Sequence, residues 1–464
     1  MRTLRAGPNV AKMSRSSILW FRRDLRLSDH PALASAAAAA TGSPVLGLFV
    51  IDPALWEPAG DVRRSYLLAS LRALDEGMGG RLVVRLGDPA IVVPRVAAEA
   101  GADTIFISAD FGPYGHARDV RVSEELAKDG RALQPVGAPY AVAPGTIRKA
   151  DASPYRVYTP FYRAWADHGW ARPQPMPPLT WLDAASDPWP TVHIPDGLVL
   201  PTAGEPAALE RWQDFLEGAL TDYADHRDRP DMQGTSSLSA ALRWGEIHPR
   251  TLLESLGDAR GHEVFRKELC WREFYADVLH HTPTSARVSL RHDIGTMRVD
   301  AGPDASLAFE AWTAGRTGFP FVDAGMRQLR AEGWMHNRVR MVVASFLVKD
   351  LHLPWQQGAA HFMAWLRDAD LASNQHGWQW TAGTGTDAAP YFRVFNPITQ
   401  GLRFDPNGDY VRQYIPELAM LTGADAHQPW LSPLMAGDYP ERIVDHAVER
   451  NESLARLAEA TGKV

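Results

Sequence analysis

Residues 16 to 137 alternate five short apolar runs, "SSILWFR", "PVLGLFVID", "RLVVRLGD", "TIFISAD" and "ALQPVG", with stretches of helical spacing at 31 to 40, 62 to 78, 89 to 100 and 116 to 128. A strand that is followed by a helix before the next strand can pair with it only through a crossover, so the sheet is parallel and covered on both faces. The pattern therefore predicts a doubly wound α/β domain over 14 to 137. From 138 to 207 the texture changes to "RPQPMPPLTWL", "SDPWPTVHIPDG" and "LPTAGEP", with no long periodic segment, which reads as a linker draped over a surface. From 208 to 464 the apolar spacing is mainly helical, as in "LERWQDFLEGALTDYADHR" and "NRVRMVVASFLVKDL", and predicts a larger all-helical domain. The basic, acid-free opening at 1 to 13 is expected to be a disordered extension or an upstream start.

Several function classes drop out. The net charge of -7 argues against wholesale binding to polyanions, though it leaves room for a local basic groove. Cys270 is the sole cysteine, so no internal disulfide can form, which suits a reducing cytoplasm. No apolar run approaches the roughly 20 residues of a membrane-spanning helix. The chain contains no GxxxxGK[ST], HExxH, CxxC or GxSxG, and the adjacent His280 and His281 lack a ligand spacing, so no metal is expected. "GTGTD" at 383 to 387 reads as a simple turn. The α/β domain also lacks GxGxxG after its first strand, which disfavours a nucleotide-dependent oxidoreductase.

Tryptophan is more informative. Ten of the 16 lie between Trp212 and Trp430. Any one indole is most simply core, but Trp271, Trp334, Trp355, Trp378 and Trp380 share segments with Arg, Asn or Asp, the combination that lines a pocket for a planar, polar ring system.

Six stretches in order, "ILWFRRDLRLSDHPAL", "GTSSLSAALRWGEIHPR", "ELCWREFY", "GWMHNRVRM", "DADLASNQHGWQW" and "TGTDAAPYFRVFNP", resemble the photolyase/cryptochrome flavoproteins, most of all the class I cyclobutane pyrimidine dimer photolyases. The resemblance covers about residues 15 to 430. It implies an antenna domain, a linker and a helical domain holding FAD. It assigns FAD contacts to Tyr223, Thr235, Ser236 and Ser239, the last three at an expected helix start. Arg340 and Asp368 correspond to an ion pair against the isoalloxazine, Asp370 to a residue at its polar edge, and Asn374 to the amide facing its central ring nitrogen, where plant cryptochromes place Asp.

For the substrate, a flipped-out pyrimidine dimer, the resemblance makes Trp271, Trp380 and Met341 the walls and Glu268 and Asn337 the polar contacts. Glu268 would have to be protonated to donate to a thymine carbonyl, which burial favours. Glu268, Trp271 and Arg272 fall at i, i+3 and i+4, one helical face. Arg227, Arg272, Arg338 and Arg393 match positions around the cavity mouth, where guanidiniums grip phosphates. Trp378 and Trp355 match the inner and middle members of an electron-transfer chain. Its outer tryptophan would fall near Gly302, but no Trp or Tyr occurs from Arg287 to Ala311, so Trp312 is the nearest alternative if it is partly exposed, although a lone Trp beside "FEA" on a helical stripe is more often core. A second chromophore, a folate, a deazaflavin or another flavin, is left open, with Asp110 and Tyr114 as candidate contacts and Arg287 where folate-binding members place a lysine.

The implied function is light-driven repair of cyclobutane dimers in double- or single-stranded DNA by electron transfer from reduced FAD. The expected enzyme is a cytoplasmic monomer with no obligate protein partner and no membrane association. A cryptochrome-type photoreceptor is the alternative; Met341, Trp380, Glu268 and a chain ending soon after the last motif stand against it. A (6-4) photoproduct photolyase would carry a histidine pair where this chain has His336 followed by Asn337.

Overall fold

The computed structural model describes residues 16–386 and 392–462; the extension expected at 1 to 13 and residues 387 to 391 of the last motif lie outside the described residues. Five strands, β1 (Ser17–Phe21), β2 (Val45–Ile51), β3 (Leu82–Leu86), β4 (Thr104–Ile107) and β5 (Ala132–Pro135), form one sheet in the order β3-β2-β1-β4-β5. All four pairings are parallel. The crossovers are α1 (Pro31–Ala40), α2 (Asp61–Gly77), α3 (Pro89–Glu99) and α4 (Pro113–Lys128). Alternation decides which face each residue serves. On β1, Leu19 and Phe21 join the core with Leu33 and Tyr66 of α1 and α2, while Ile18 and Trp20 join Val93 and Val122 of α3 and α4. The expected doubly wound domain is present.

The proline-rich segment differs from expectation by holding a helix, α5 (Tyr158–His168). Its only proline, Pro160, stands in the first turn, where a backbone N–H has no intrahelical partner to lose. Tyr158, Phe161 and Trp165 are buried with Trp212, Phe265 and Phe274, so α5 belongs to the helical core. The rest of the segment crosses the α/β domain: Trp181 bridges Val45 at the sheet, and Leu179, Trp189 and Leu200 pack on its core.

Of the helices beyond, those that build the site are α6 (Ser239–Trp244), α7 (Arg260–His281), α8 (Pro303–Ala314), α9 (Pro320–Glu332), α10 (Asn337–Lys349), α11 (Trp355–Trp365) and α12 (Leu371–Ala382). α12 is the hub, with α7, α10 and α11 all packed on it. The two domains meet where Gly245, with φ +71°, ends α6 against the loop after β1; a Cβ there would lie 2.1 Å from the carbonyl oxygen of Arg23. Leu25 N–H donates to Trp244 O across this contact at 3.0 Å.

Candidate functional site

The segment before α6 carries Thr235 and Ser236, and Ser239 is the first residue of that helix, as expected. Leu238 precedes it and offers no capping side chain. Ser237 holds a left-handed φ of +50°, a conformation that costs a non-glycine residue energy and clusters at functional sites. Among the described residues, no protein group takes the hydroxyls of Thr235, Ser236 or Ser239, which leaves three short polar groups for a ligand. Tyr223 is buried against Phe215 and Phe265, with the Arg227 guanidinium 5.7 Å above its ring.

The opposite wall comes from α12 and the turn before it. Arg340 and Asp368 form the expected pair, Nη2 to Oδ2 at 3.0 Å, and Arg340 Nε also donates to Met335 O at 2.7 Å. Ala369, between Asp368 and Asp370, has φ +29°, a second strained residue at this site. Asn374 donates through Nδ2 to Ala359 O at 3.1 Å and to Gln375 Oε1 at 2.8 Å. That leaves Oδ1 as the acceptor it can present, the polarity needed opposite a protonated ring nitrogen. Asp370 is placed less simply than expected. Its Oδ1 caps α12 by accepting from Ser373 N–H at 3.0 Å, and its Oδ2 pairs at 2.8 Å with Arg23 from the loop after β1. Burial raises its pKa, but Arg23, Arg272 and Arg243 outweigh that and hold the carboxyl well below the usual range.

On the substrate side, Glu268 and Arg227 come together at 2.6 Å. Burial raises the Glu268 pKa, with Arg227 opposing, so its net direction is the one a hydrogen-bond donor requires. Trp271 lies flat on Tyr158 of α5, ring centroids 3.7 Å apart and 7° from parallel. This backing partner was hidden in the proline-rich segment, where its only signal was the aromatic spacing of "YTPFYRAW". On α10, Asn337 is exposed and Met341, one turn on, is half-buried. Trp380 is likewise half-buried, on α12.

The arginines separate. Arg338 pairs with Asp228 at 2.7 Å and covers Phe404 at 4.4 Å. Arg393 is exposed, and its carbonyl accepts from Lys349 Nζ. Arg272 differs from the expected mouth position: its Nη1 and Nη2 donate to Pro139 O and Leu242 O, each at 3.0 Å, and its guanidinium lies 4.6 Å over Tyr140. It lies only about 40° round α7 from Glu268, so the helix register keeps it on that face. Its hydrogen-bond partners, in the linker and in α6, hold the guanidinium among the residues joining the domains.

Trp378 is buried at 3% exposure, edge-on to Phe362 at 5.0 Å and to Trp312 at 6.2 Å. Gly358 makes room for its indole, since a Cβ there would lie 2.1 Å from Cη2. Trp355, three residues before Gly358, donates Nε1–H to Ser289 Oγ at 3.1 Å. The expectation for Trp312 is corrected: it is 0% exposed, and its Nε1–H donates to Val343 O at 3.2 Å. Its place on the buried face of α8, stacked beside Phe309, makes it core and denies it direct contact with solvent. Toward the surface the contacts continue from Trp312 to His361 at 5.5 Å and from His361 to the half-buried Trp365 at 6.3 Å.

A cavity of about 590 Å³ lies between the domains. It opens at the carboxyl ends of β1 and β4, where the strand order reverses, the usual ligand position of an open parallel sheet. Trp20, Trp56, Arg22, Arg23, Arg243 and Asp370 line it, with Asp110 and Tyr114, the two expected chromophore contacts. Beside it Arg22 Nε, Arg23 Nε and Arg243 Nη1 are buried without a hydrogen-bond partner, so three guanidiniums of its lining are incompletely satisfied. Burial, helped by Arg23, pushes the Arg243 guanidinium down to about 9. Among the described residues no group of acidic, His or Cys side chains could hold a metal ion, and no helix is long and apolar enough to cross a membrane.

A model of the DNA photolyase family matches residues 17–179, and one of the FAD binding domain of DNA photolyase matches residues 265–459. The chain is 38% identical to the deoxyribodipyrimidine photo-lyase of Agrobacterium fabrum, over 95% of this chain and 97% of that protein. Among solved structures, the class III photolyase from Agrobacterium tumefaciens is similar with a TM-score of 0.89 and 36% identity, covering 98% of this chain and 100% of the other. The Synechocystis cryptochrome is similar at 0.86 and 27%, covering 95% and 99%. With both of its domains matched in order by models of one family, this chain belongs to the DNA photolyase family.

Proposed function

We propose that this chain is a light-driven DNA repair enzyme, a deoxyribodipyrimidine photo-lyase that reverses cyclobutane pyrimidine dimers. The observation that carries the reading is the arrangement about α12: one helix holds Asn374 and Trp380, and it packs on α7, which holds Glu268 and Trp271, and on α10, which holds Asn337 and Met341. Bound FAD supplies the light-absorbing group and the electron. The residues present fit it. The three unpartnered hydroxyls before and at the start of α6 would hold its polar chain, the Arg340 and Asp368 pair would serve its ring, and Asn374 would offer Oδ1 to the central nitrogen.

The protein's part is binding, orientation and exclusion of water. Trp271, already held flat by Tyr158, would wall the dimer together with Trp380 and Met341. Glu268, in its protonated form, and Asn337 donate to the thymine carbonyls. Arg227, Arg338 and Arg393 meet flanking phosphates. Trp378 and Trp355 carry an electron inward when oxidised flavin is photoreduced. The substrate is DNA, double- or single-stranded, and the enzyme acts as a monomer with no obligate protein partner. The cytoplasmic, nucleoid-associated location follows from that substrate. The interdomain cavity, with Arg287 in its lining, suits a second, flat chromophore, a folate, a deazaflavin or another flavin; an absorbance spectrum of protein from its own host tests which.

Light-dependent loss of dimers from damaged DNA, measured with the flavin reduced, is the deciding assay. No loss in light would favour the photoreceptor reading, which likeness to the Synechocystis cryptochrome keeps in view. A (6-4) photolyase is disfavoured at α10: His336 Nδ1 caps the helix by accepting from Arg338 N–H at 3.2 Å, and burial pushes its pKa down to about 4, so it is a poor proton donor.

A further inference from the structure

The β1 loop reaches the flavin wall through one side chain. Arg23 belongs to the α/β domain, yet its Nη2 meets Asp370 Oδ2 at 2.8 Å, and the two side chains are only 19% and 12% exposed. Asp370 is the N-cap of α12, accepting from Ser373 N–H through its other oxygen. Asn374 N–H closes the same turn by donating to Asp370 O at 2.8 Å. The residue before, Ala369, is strained at φ +29° and its carbonyl lies 3.5 Å from Arg243 Nε, so the backbone here is held from outside the helix. We propose that Arg23 is a positioning residue for the flavin site: its ion pair with Asp370 fixes the first turn of α12 and thereby the side chain of Asn374.

The alternative partners of Asp370 make the role specific. Arg243 and Arg272 also act on its charge, and Arg243 Nε lies 3.5 Å from the adjacent Ala369 O, so without Arg23 the carboxylate would be drawn toward them. The cap and the turn that bears Asn374 then move with it. Arg23 and Asp370 both line the interdomain cavity, so a ligand bound at that end of it would reach the same pair. The inference rests on the flavin reading above.

The experiment compares Arg23→Ala, Arg23→Lys and Asp370→Asn with the unaltered full chain, measuring the FAD dissociation rate and the flavin absorbance and circular dichroism in the dark. Arg23→Ala should speed FAD release roughly tenfold, about what losing a charge-assisted hydrogen bond costs, and shift the flavin spectrum. Arg23→Lys should restore most of both. Asp370→Asn, which still caps the helix but loses the ion pair and alters the flavin's polar edge, should speed release at least as much as Arg23→Ala. The control is Glu205→Ala, which removes bonds to Leu27 N–H and Ser28 N–H of the same loop at 2.7 and 3.0 Å without touching α12. Equal effects of Glu205→Ala and Arg23→Ala would reduce the role to general domain docking and overturn the proposal, as would unaltered release and spectra in Arg23→Ala. Failure of the unaltered chain to bind FAD would overturn the flavin reading and this proposal together.

Discussion

Gly358→Ala sets two known effects against each other in the wall behind α12. In a helix interior, alanine is favoured over glycine by about 1 kcal/mol. Against this, the added methyl would lie 2.1 and 2.5 Å from Cη2 and Cζ3 of Trp378 and 2.5 Å from Leu347 Cδ2. Leu347 is a flexible end that can give. The indole cannot, because it is 3% exposed and boxed by Phe362 and Trp312. Overpacking a closed core costs roughly 1 to 3 kcal/mol, and contact with a rigid ring belongs at the upper end. The net expectation is a loss of about 2 kcal/mol, a factor of roughly 30 in the unfolding equilibrium. Urea unfolding followed by tryptophan fluorescence measures it. In a Trp378→Phe background, where the offending indole atoms are gone, the same Gly358→Ala change should become neutral or stabilising, and the double-mutant cycle isolates that coupling. Gly358→Ala alone should also slow photoreduction of oxidised flavin, since the indole is displaced. Stabilisation by Gly358→Ala in the unaltered background, with photoreduction unchanged, would refute the packing argument.

Dimer binding that needs protonated Glu268 should weaken as pH rises through that group's raised pKa, above the ordinary value of 4.5, because binding then requires proton uptake. Glu268→Gln, a donor at every pH, should flatten the dependence, and a profile identical to the unaltered protein would dismiss the role. Trp378→Phe should abolish photoreduction of oxidised flavin yet spare repair by chemically reduced enzyme, as read by dimer loss under blue light. Since Trp312 is buried, Trp312→Phe is expected to slow photoreduction only if electrons leave through His361 and Trp365; an unchanged rate shows that they take another way out. Arg338→Ala should weaken DNA binding and lower its logarithmic salt slope by about 1, a titration over several salt concentrations being the check.

Much of this was legible in one dimension. The crossover rhythm of residues 16 to 137 leaves a parallel sheet as its only economical pairing, and that sheet is present. The ordered motifs marked Arg340 and Asp368, which do pair, and Asn374, whose amide is turned as a flavin would need it. These follow from sequence because period and residue type are local properties. What sequence could not supply was direction and company. Helical spacing put Arg272 on one face with Glu268 and Trp271, but carbonyls brought in from the linker and from α6 take its guanidinium, at Pro139 O and Leu242 O. For Trp312 the helical stripe beside "FEA" already leaned toward core, but only the packing of α8 decides it. Tyr158 and Arg23 come from segments 113 and 347 residues away from Trp271 and Asp370, and their contacts exist only because α5 folds back on α7 and the loop after β1 closes on α12.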